Sequence, residues 1–370
     1  MNSLHDTYGL TPVINAAGSY TPVGVSRSTR AVADVVGESL TEFFVIEELQ
    51  AAAGAAIARY AGAEAATVMH CAAAGITMAI AGVMAGVDAA RIAALPDATG
   101  LPHKVVLPAG HAVDYGHPIV TDIRLAGATP VLAGTEQRCT LAELEQALAA
   151  PDTACLLLVA SRLVKGEAVD LTQAVAAAHR RGVPALIDGA AQDLRIPALL
   201  ATGADAVIIS AQKYLAAPTA GLVVGRTALV QAAHAQEKGI GRAMKATKEA
   251  LLGCLAAIGQ RERLDVGAWQ AEQDTKVAFF VERAARLPGL QAQALQDPAG
   301  MPFSRAVLSV DPAVAGRSAA TLLQELREGS PSIWVMGHEA GQGRLVLEFV
   351  PLRHDEIVRI LARLQQVLQA

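Results

Sequence analysis

Cysteine is scarce in this chain. The four that occur, Cys71, Cys139, Cys155 and Cys254, show no Cys-x-x-Cys spacing. That argues against a disulfide framework and against a zinc knuckle, and no metal site is expected. Charge is scarce as well: Asp, Glu, Lys and Arg make up 18% of the residues, and the net charge is −5. There is no basic run and no interleaving of basic and aromatic residues, so no nucleic-acid partner is expected. No apolar stretch reaches the roughly 18 residues that span a bilayer before Gly, Asp, Pro or Arg interrupts it, so no membrane role is expected. The opening residues, MNSLHDTYGLTPVIN, lack a basic segment leading into an apolar one and do not read as a signal peptide. A cytoplasmic location is the expectation. A dinucleotide fingerprint is also missing, because HCAAAG (70–75) does not have the Gly-x-Gly-x-x-Gly spacing.

What the chain does have is apolar bulk. Of its 370 residues 52% are hydrophobic, enough for two domains with a large core. Residues 1–30 carry little regular pattern, and 31–60 read as helical. Short continuous apolar runs then alternate with helical stretches: 65–69, 104–108, 155–160, 183–188, 206–210 and 221–225 read as strands. Continuous runs of that kind mark strands covered on both faces, so the fold class is α/β with a mostly parallel sheet. Near residue 248 helical segments take over, interrupted by strand-like 303–310 and 344–350. The expected division is an N-terminal arm and first helix (1–50), a large ligand-binding domain (51–247) and a smaller C-terminal α+β domain (248–370).

One segment carries chemistry. In VIISAQKYLAAPTAGLVVGR (207–226), Lys213 follows the apolar run that ends in Ser210, in surroundings almost empty of charge. A lysine at random is a surface residue. At the carboxyl edge of a parallel sheet, desolvated, it has a lowered pKa and can attack a carbonyl. Asp188 ends the run VPALID. It reads either as a turn or helix-capping aspartate, or as an acceptor for a pyridinium N–H. In HCAAAG, small residues open a helix directly after a strand, a place where backbone N–H groups bind phosphate. Ser210 offers a further hydroxyl.

Five stretches carry a resemblance: TPVINAAG (11–18), HCAAAG, ALIDGAAQ (185–192), residues 203–226 and GIGRAMKATKE (239–249). On them the chain resembles the selenium transferase-like family of fold-type I pyridoxal-phosphate enzymes, and within it the shorter ammonia lyase-like members. The resemblance implies a fold-type I large domain and pyridoxal 5'-phosphate as cofactor. It makes Lys213 the Schiff-base residue and Asp188 the partner of the ring nitrogen. The phosphate falls to Cys71, Ala72 and Ala73, with Ser210 beside them. His111 is a candidate for stacking on the ring. Arg162, Arg344 and Arg353 are candidates for gripping the substrate carboxylate, with no choice made among them. Arg242 and Lys248 match family positions near the cofactor lysine. A homodimer or larger homo-oligomer is implied.

The expected reaction is a β-elimination on an amino acid or amino sugar acid. Lys213 takes the Cα proton, and ammonia and a 2-oxo acid are released. A racemase remains open, with His111, Cys71 or Tyr214 as a second proton donor. So do a selenium transferase and a non-catalytic cofactor-binding scaffold. A transferase acting on tRNA fits poorly: SYTPVGVSR (19–27) departs from that branch, and the net charge is acidic. No concentrated basic pocket for a phosphosugar is visible either.

Overall fold

The computed structural model describes residues 3–369, which divide into two compact units: 28–263, and 3–27 together with 264–369. This differs from the expected boundaries at both ends. The strand Val13–Ala16 pairs in parallel with Ser332–Val335, which ties the N-terminal stretch to the C-terminal part of the chain. The helix Lys248–Arg261 buries Leu251, Cys254, Ala257 and Ile258 in the core of the larger unit, and so closes that unit. The helical stretch expected over 31–60 is two helices, Arg30–Ser39 and Ile46–Ala61.

The larger unit is built on a seven-stranded sheet. Across it the strands run Ala65–Met69, Gly221–Gly225, Ala206–Ser210, Ala185–Asp188, Thr153–Val159, Lys104–Pro108 and Thr129–Ala133. The last five are mutually parallel. Gly221–Gly225 is antiparallel to both its neighbours. The reason is local: only 211–220 separates it from the preceding strand, too little for the crossover that a parallel pair needs.

Period-two alternation sends neighbouring residues to opposite faces, and both faces are buried. Leu156, Leu158, Ile187, Val207 and Ile209 join one core cluster. Cys155, Leu157, Val159, Leu186 and Ile208 join another, against the helix Ala72–Ala85. This double burial is why the strands read as unbroken apolar runs.

The smaller unit has a three-stranded antiparallel sheet, with Ser304–Val310 between Leu290–Gln296 and Arg344–Glu348. Its core gathers Phe280, Phe349, Leu308 and Leu364. No helix among the described residues is long and apolar enough to cross a membrane, and no cluster of potential metal ligands occurs among them.

Candidate active site

Asp188 and Ser210 end adjacent parallel strands, so the sheet itself brings their carboxyl edges together. The pairing runs past the strand ends. The Gly189 N–H donates to the Ile208 carbonyl at 2.9 Å, and the Ser210 N–H donates to the Ala190 carbonyl at 3.0 Å. Lys213 sits one turn beyond, with its N–H donating to the Ser210 carbonyl at 3.2 Å. The turn is closed by the Ala217 N–H on the Ala211 carbonyl (3.0 Å) and the Ala211 N–H on the Ala220 carbonyl (2.9 Å). Ala216 completes it at φ 55°, a left-handed conformation that alanine adopts only under strain.

The Lys213 amine is partly buried, and loss of water pushes its pKa down; the Asp188 charge opposes that shift and the Arg162 charge adds to it. Asp188 is 6% exposed. Burial pushes its pKa up, against the pull of Lys213 and of the Ala190 N–H, which donates to Oδ1 at 3.0 Å. Each group thus has its charged form disfavoured by burial, and each charge acts on the other.

Cys71 N-caps the helix Ala72–Ala85, its Sγ accepting from the Ala74 N–H at 3.4 Å. The N–H groups of Ala72 and Ala73 head the helix, where no carbonyl of the helix can reach them. Cys71, Ala72 and Ala73 are only partly covered, whereas the helix from Ala74 to Gly82 is buried. Gly221 explains the fit of this helix start against the sheet. A Cβ there would come within 2.1 Å of the Cys71 carbonyl oxygen and 2.7 Å of the Ala72 nitrogen. Ser210, the register partner of Gly221, is 3% exposed.

His111 ends a single 3-10 turn, Ala109–His111, and is 2% exposed. The Val159 N–H donates to its Nδ1 at 2.9 Å, which places the ring proton on Nε2. Burial pushes its pKa down to about 4, so the imidazole is neutral. Gly110 is required beside it, since a Cβ would lie 2.2 Å from the Lys165 carbonyl oxygen.

Of the three arginines singled out from the sequence, the structure brings Arg162 to the lysine. It is exposed, its charge acts on Lys213, and among the described residues no carboxylate forms an ion pair with it. Arg344 and Arg353 belong to the smaller unit and already hold carboxylates. Arg344 pairs with Glu339 at 2.9 Å, and Arg353 pairs with Glu356 at 3.3 Å and Asp355 at 3.6 Å. Arg242 is exposed, and Lys248 donates to the Leu40 and Glu42 carbonyls at 3.3 and 2.6 Å. The Tyr214 carbonyl accepts from Arg261 at 2.5 Å.

The sequence reading missed Tyr115, His117 and Asp122. Asp122 is 1% exposed, and burial pushes its pKa up to about 6. The Tyr115 hydroxyl donates to its Oδ2, and His117 Nε2 lies 3.3 Å from Oδ1 and 2.8 Å from the Tyr115 oxygen. Burial, then Asp122, Asp188 and Cys71 in turn, push the Tyr115 phenol up. The only trace in the sequence is a knot of titratable residues, HAVDYGH (111–117), in a chain poor in them.

The donor set fits pyridoxal 5'-phosphate. Lys213 offers an amine of lowered basicity for its aldehyde, Asp188 a buried carboxylate for its ring nitrogen, and Ala72, Ala73 and Ser210 donors for its phosphate.

Comparison with known proteins agrees with that fit. The aminotransferase class-V family model matches residues 126–254. The chain is 36% identical over 363 residues to 5'-C-glycyluridine monooxygenase-decarboxylase of Streptomyces sp, spanning 97% of this chain and 90% of that protein. It is 32% identical over 368 residues to D-glucosaminate-6-phosphate ammonia lyase of Salmonella typhimurium (strain 14028s / SGSC 2262), spanning 99% and 98%. A solved structure of D-glucosaminate-6-phosphate ammonia-lyase superposes with a TM-score of 0.89, covering 100% of this chain and 99% of that one at 32% identity. Serine palmitoyltransferase of Sphingomonas wittichii shares the fold at a TM-score of 0.62 and 15% identity, covering 96% and 87%.

Proposed function

Because the chain belongs to the fold-type I pyridoxal-phosphate family of D-glucosaminate-6-phosphate ammonia lyase, we propose that it is a cofactor-dependent ammonia lyase acting on a small amino acid or amino sugar acid. The observation that carries the reading is the Lys213–Asp188 pair, an amine and a carboxylate brought together at one sheet edge and both desolvated. A scaffold that had lost its chemistry has no reason to keep two charges there at the expense of their hydration.

Each residue then has a task. Lys213 would hold the cofactor through Nζ and would take the proton from the substrate's Cα. Asp188 would hold the ring nitrogen in its protonated form. The bound cofactor supplies an electron sink for the Cα–H bond pair, which lets the β-substituent depart. Ala72 and Ala73 anchor the phosphate through their N–H groups, with the Cys71 cap fixing the helix start. His111, held by Val159 with its ring proton on Nε2, would pack against the ring. Arg162 receives the substrate carboxylate. Its exposure suits a group that must meet its ligand from solvent, and Arg344 and Arg353 are the weaker candidates because carboxylates already occupy them. The substrate is a small molecule and no nucleic acid is involved, in keeping with the net charge of −5. All four cysteines are free, as suits a cytoplasmic protein. The working form is a homodimer at least.

Absorbance before and after borohydride reduction tests the cofactor link. Wild type should fix the cofactor to Lys213, while Lys213→Ala should lose it on gel filtration; a wild type that stays colourless with added pyridoxal phosphate would sink the reading. A second reading, oxygen-dependent decarboxylation, has one observation in its favour, the 36% identity to a monooxygenase-decarboxylase. A screen of amino acids and amino sugar acids separates the two. Ammonia and 2-oxo acid formed equally with and without oxygen support the lyase. Oxygen uptake with release of carbon dioxide replaces it.

A further inference from the structure

We propose that Tyr115, Asp122 and His117 form a hydrogen-bonded triad that sets the electrostatic field at Asp188 and so tunes the proton affinity of the cofactor held there. The inference rests on the pyridoxal-phosphate reading of the site and adds positioning residues that this reading does not use.

The argument begins with Asp122. Its side chain is 1% exposed, and a carboxylate so deeply buried is retained only when both oxygens are satisfied. Here they are. The Tyr115 hydroxyl donates to Oδ2, and His117 Nε2 stands 3.3 Å from Oδ1. The same imidazole nitrogen is 2.8 Å from the Tyr115 oxygen, and the two rings meet edge to face with centroids 4.8 Å apart. The three groups therefore form a closed ring of contacts. The backbone holds it in place, since the Thr77 hydroxyl, from the helix Ala72–Ala85, donates to the Asp122 carbonyl at 3.1 Å.

The triad joins two environments. The His117 side chain is 38% exposed, so one end reaches solvent. At the other end, the loop that carries Tyr115 follows Lys104–Pro108, a strand parallel to Thr153–Val159 and Ala185–Asp188, so it leaves the carboxyl edge where Asp188 ends; His111 at its start accepts from the N–H of Val159, the register partner of Asp188. There the Asp188 charge acts on both Asp122 and Tyr115, and Cys71 acts on Tyr115. The titratable groups that face Asp122 are thus Tyr115, His117 and Asp188, with Cys71 beyond Tyr115 and Lys213 beyond Asp188. Among the described residues no lysine or arginine pairs with Asp122. A purely structural clip would be served by neutral partners. A buried carboxylate within electrostatic reach of the cofactor's own counter-ion, held by hydrogen bonds to Tyr115 and His117, is an arrangement that sets the charge felt at the ring.

The sign is fixed by electrostatics. A negative charge near a protonated cofactor stabilises the proton, and its removal weakens proton binding. The test is a pH titration of the visible absorbance of cofactor-loaded protein, for wild type, Asp122→Asn, Tyr115→Phe and His117→Gln. Circular dichroism and cofactor stoichiometry are measured alongside. Asp122→Asn should lower the titration midpoint by about half a pH unit or more, the order expected for one charge acting across a partly buried site. His117→Gln and Tyr115→Phe, which alter the hydrogen bonds that hold Asp122, should each shift the midpoint without loss of bound cofactor. Midpoints equal to wild type in all three folded, loaded variants would overturn the proposal and leave the cofactor reading intact. A wild type with no visible band would instead remove the cofactor reading, and the triad's role with it. If Asp122→Asn does not fold, the half-exposed His117→Gln decides alone: a displaced midpoint upholds the proposal and an unmoved one overturns it.

Discussion

His111 is 2% exposed, and its side chain accepts the Val159 N–H at Nδ1. Its pKa is about 4 in the fold against an ordinary value of 6.5, so as pH falls the unfolded chain takes up the proton first. The stability that neutral His111 contributes is therefore complete above about pH 6.5 and is lost as pH falls towards 4. A shift of that size is worth roughly 3 kcal/mol. His111→Asn, which keeps an acceptor but does not titrate, should flatten the fall of the urea midpoint between pH 7 and 4.5. An unchanged slope would mean that other groups dominate. Asp188 has the opposite sign: burial raises its pKa, so its ionised form destabilises the fold at neutral pH. Asp188→Asn should raise the melting temperature of the cofactor-free protein and lower kcat by two orders of magnitude or more, the trade expected of a strained functional group. Lys213 and Asp188 were legible in the sequence because each stood at the end of an apolar run. Asp122 was not. It lies in the six-residue helix Val120–Leu125 with no pattern around it, and only the fold brings it to Tyr115 and into reach of Asp188.

At the level of elements, the strand edge and the helix start are coupled through one glycine. Gly221 lets the strand lie against Cys71 and Ala72, so Gly221→Ala must push the head of the helix Ala72–Ala85 outward. Overpacking of this kind costs about 1–3 kcal/mol. Cofactor titration should show affinity lowered by about tenfold or more, because the displaced Ala72 and Ala73 N–H groups no longer converge; unchanged affinity would place the phosphate elsewhere. The elements legible in the sequence share one property, burial on both faces. Thr153–Val159 and Ala206–Ser210 are covered on both sides and read as continuous apolar runs. Thr129–Ala133 was missed because it is an edge strand that buries only Ala133, whereas the opposite edge strand, Ala65–Met69, buries three residues. Leu290–Gln296, LQAQALQ, is polar and largely exposed for the same reason. The four-residue strands Val13–Ala16 and Ser332–Val335 are too short to show a period, and it is their pairing that moves the N-terminal stretch into the smaller unit.

For the whole molecule, the segment between the helices Arg30–Ser39 and Ile46–Ala61 is where assembly is best tested. It exposes Leu40 (60%) and, after Thr41 and Glu42, the run Phe43 (100%), Phe44 (40%) and Val45 (58%). Single exposed apolar residues are ordinary, but a contiguous run is not, and such runs mark interfaces. The run is also held in shape. Lys248 Nζ donates to the Leu40 and Glu42 carbonyls and lies 5.8 Å from the centroid of the Phe43 ring. A segment that is apolar and open to water is set up to meet another surface, and the proposed occupant is a second copy of the chain in a closed dimer. Light scattering should therefore give wild type a mass of at least twice the 38.2 kDa of one chain. Phe43→Glu places a charge in the middle of the run and should shift the mass toward a single chain, because a buried unpaired carboxylate opposes the contact. Lys248→Met removes the clasp without adding charge and should weaken assembly less. A wild type that runs as a single chain would remove the assembly proposal, while a Phe43→Glu variant that stays oligomeric would move the interface to another face.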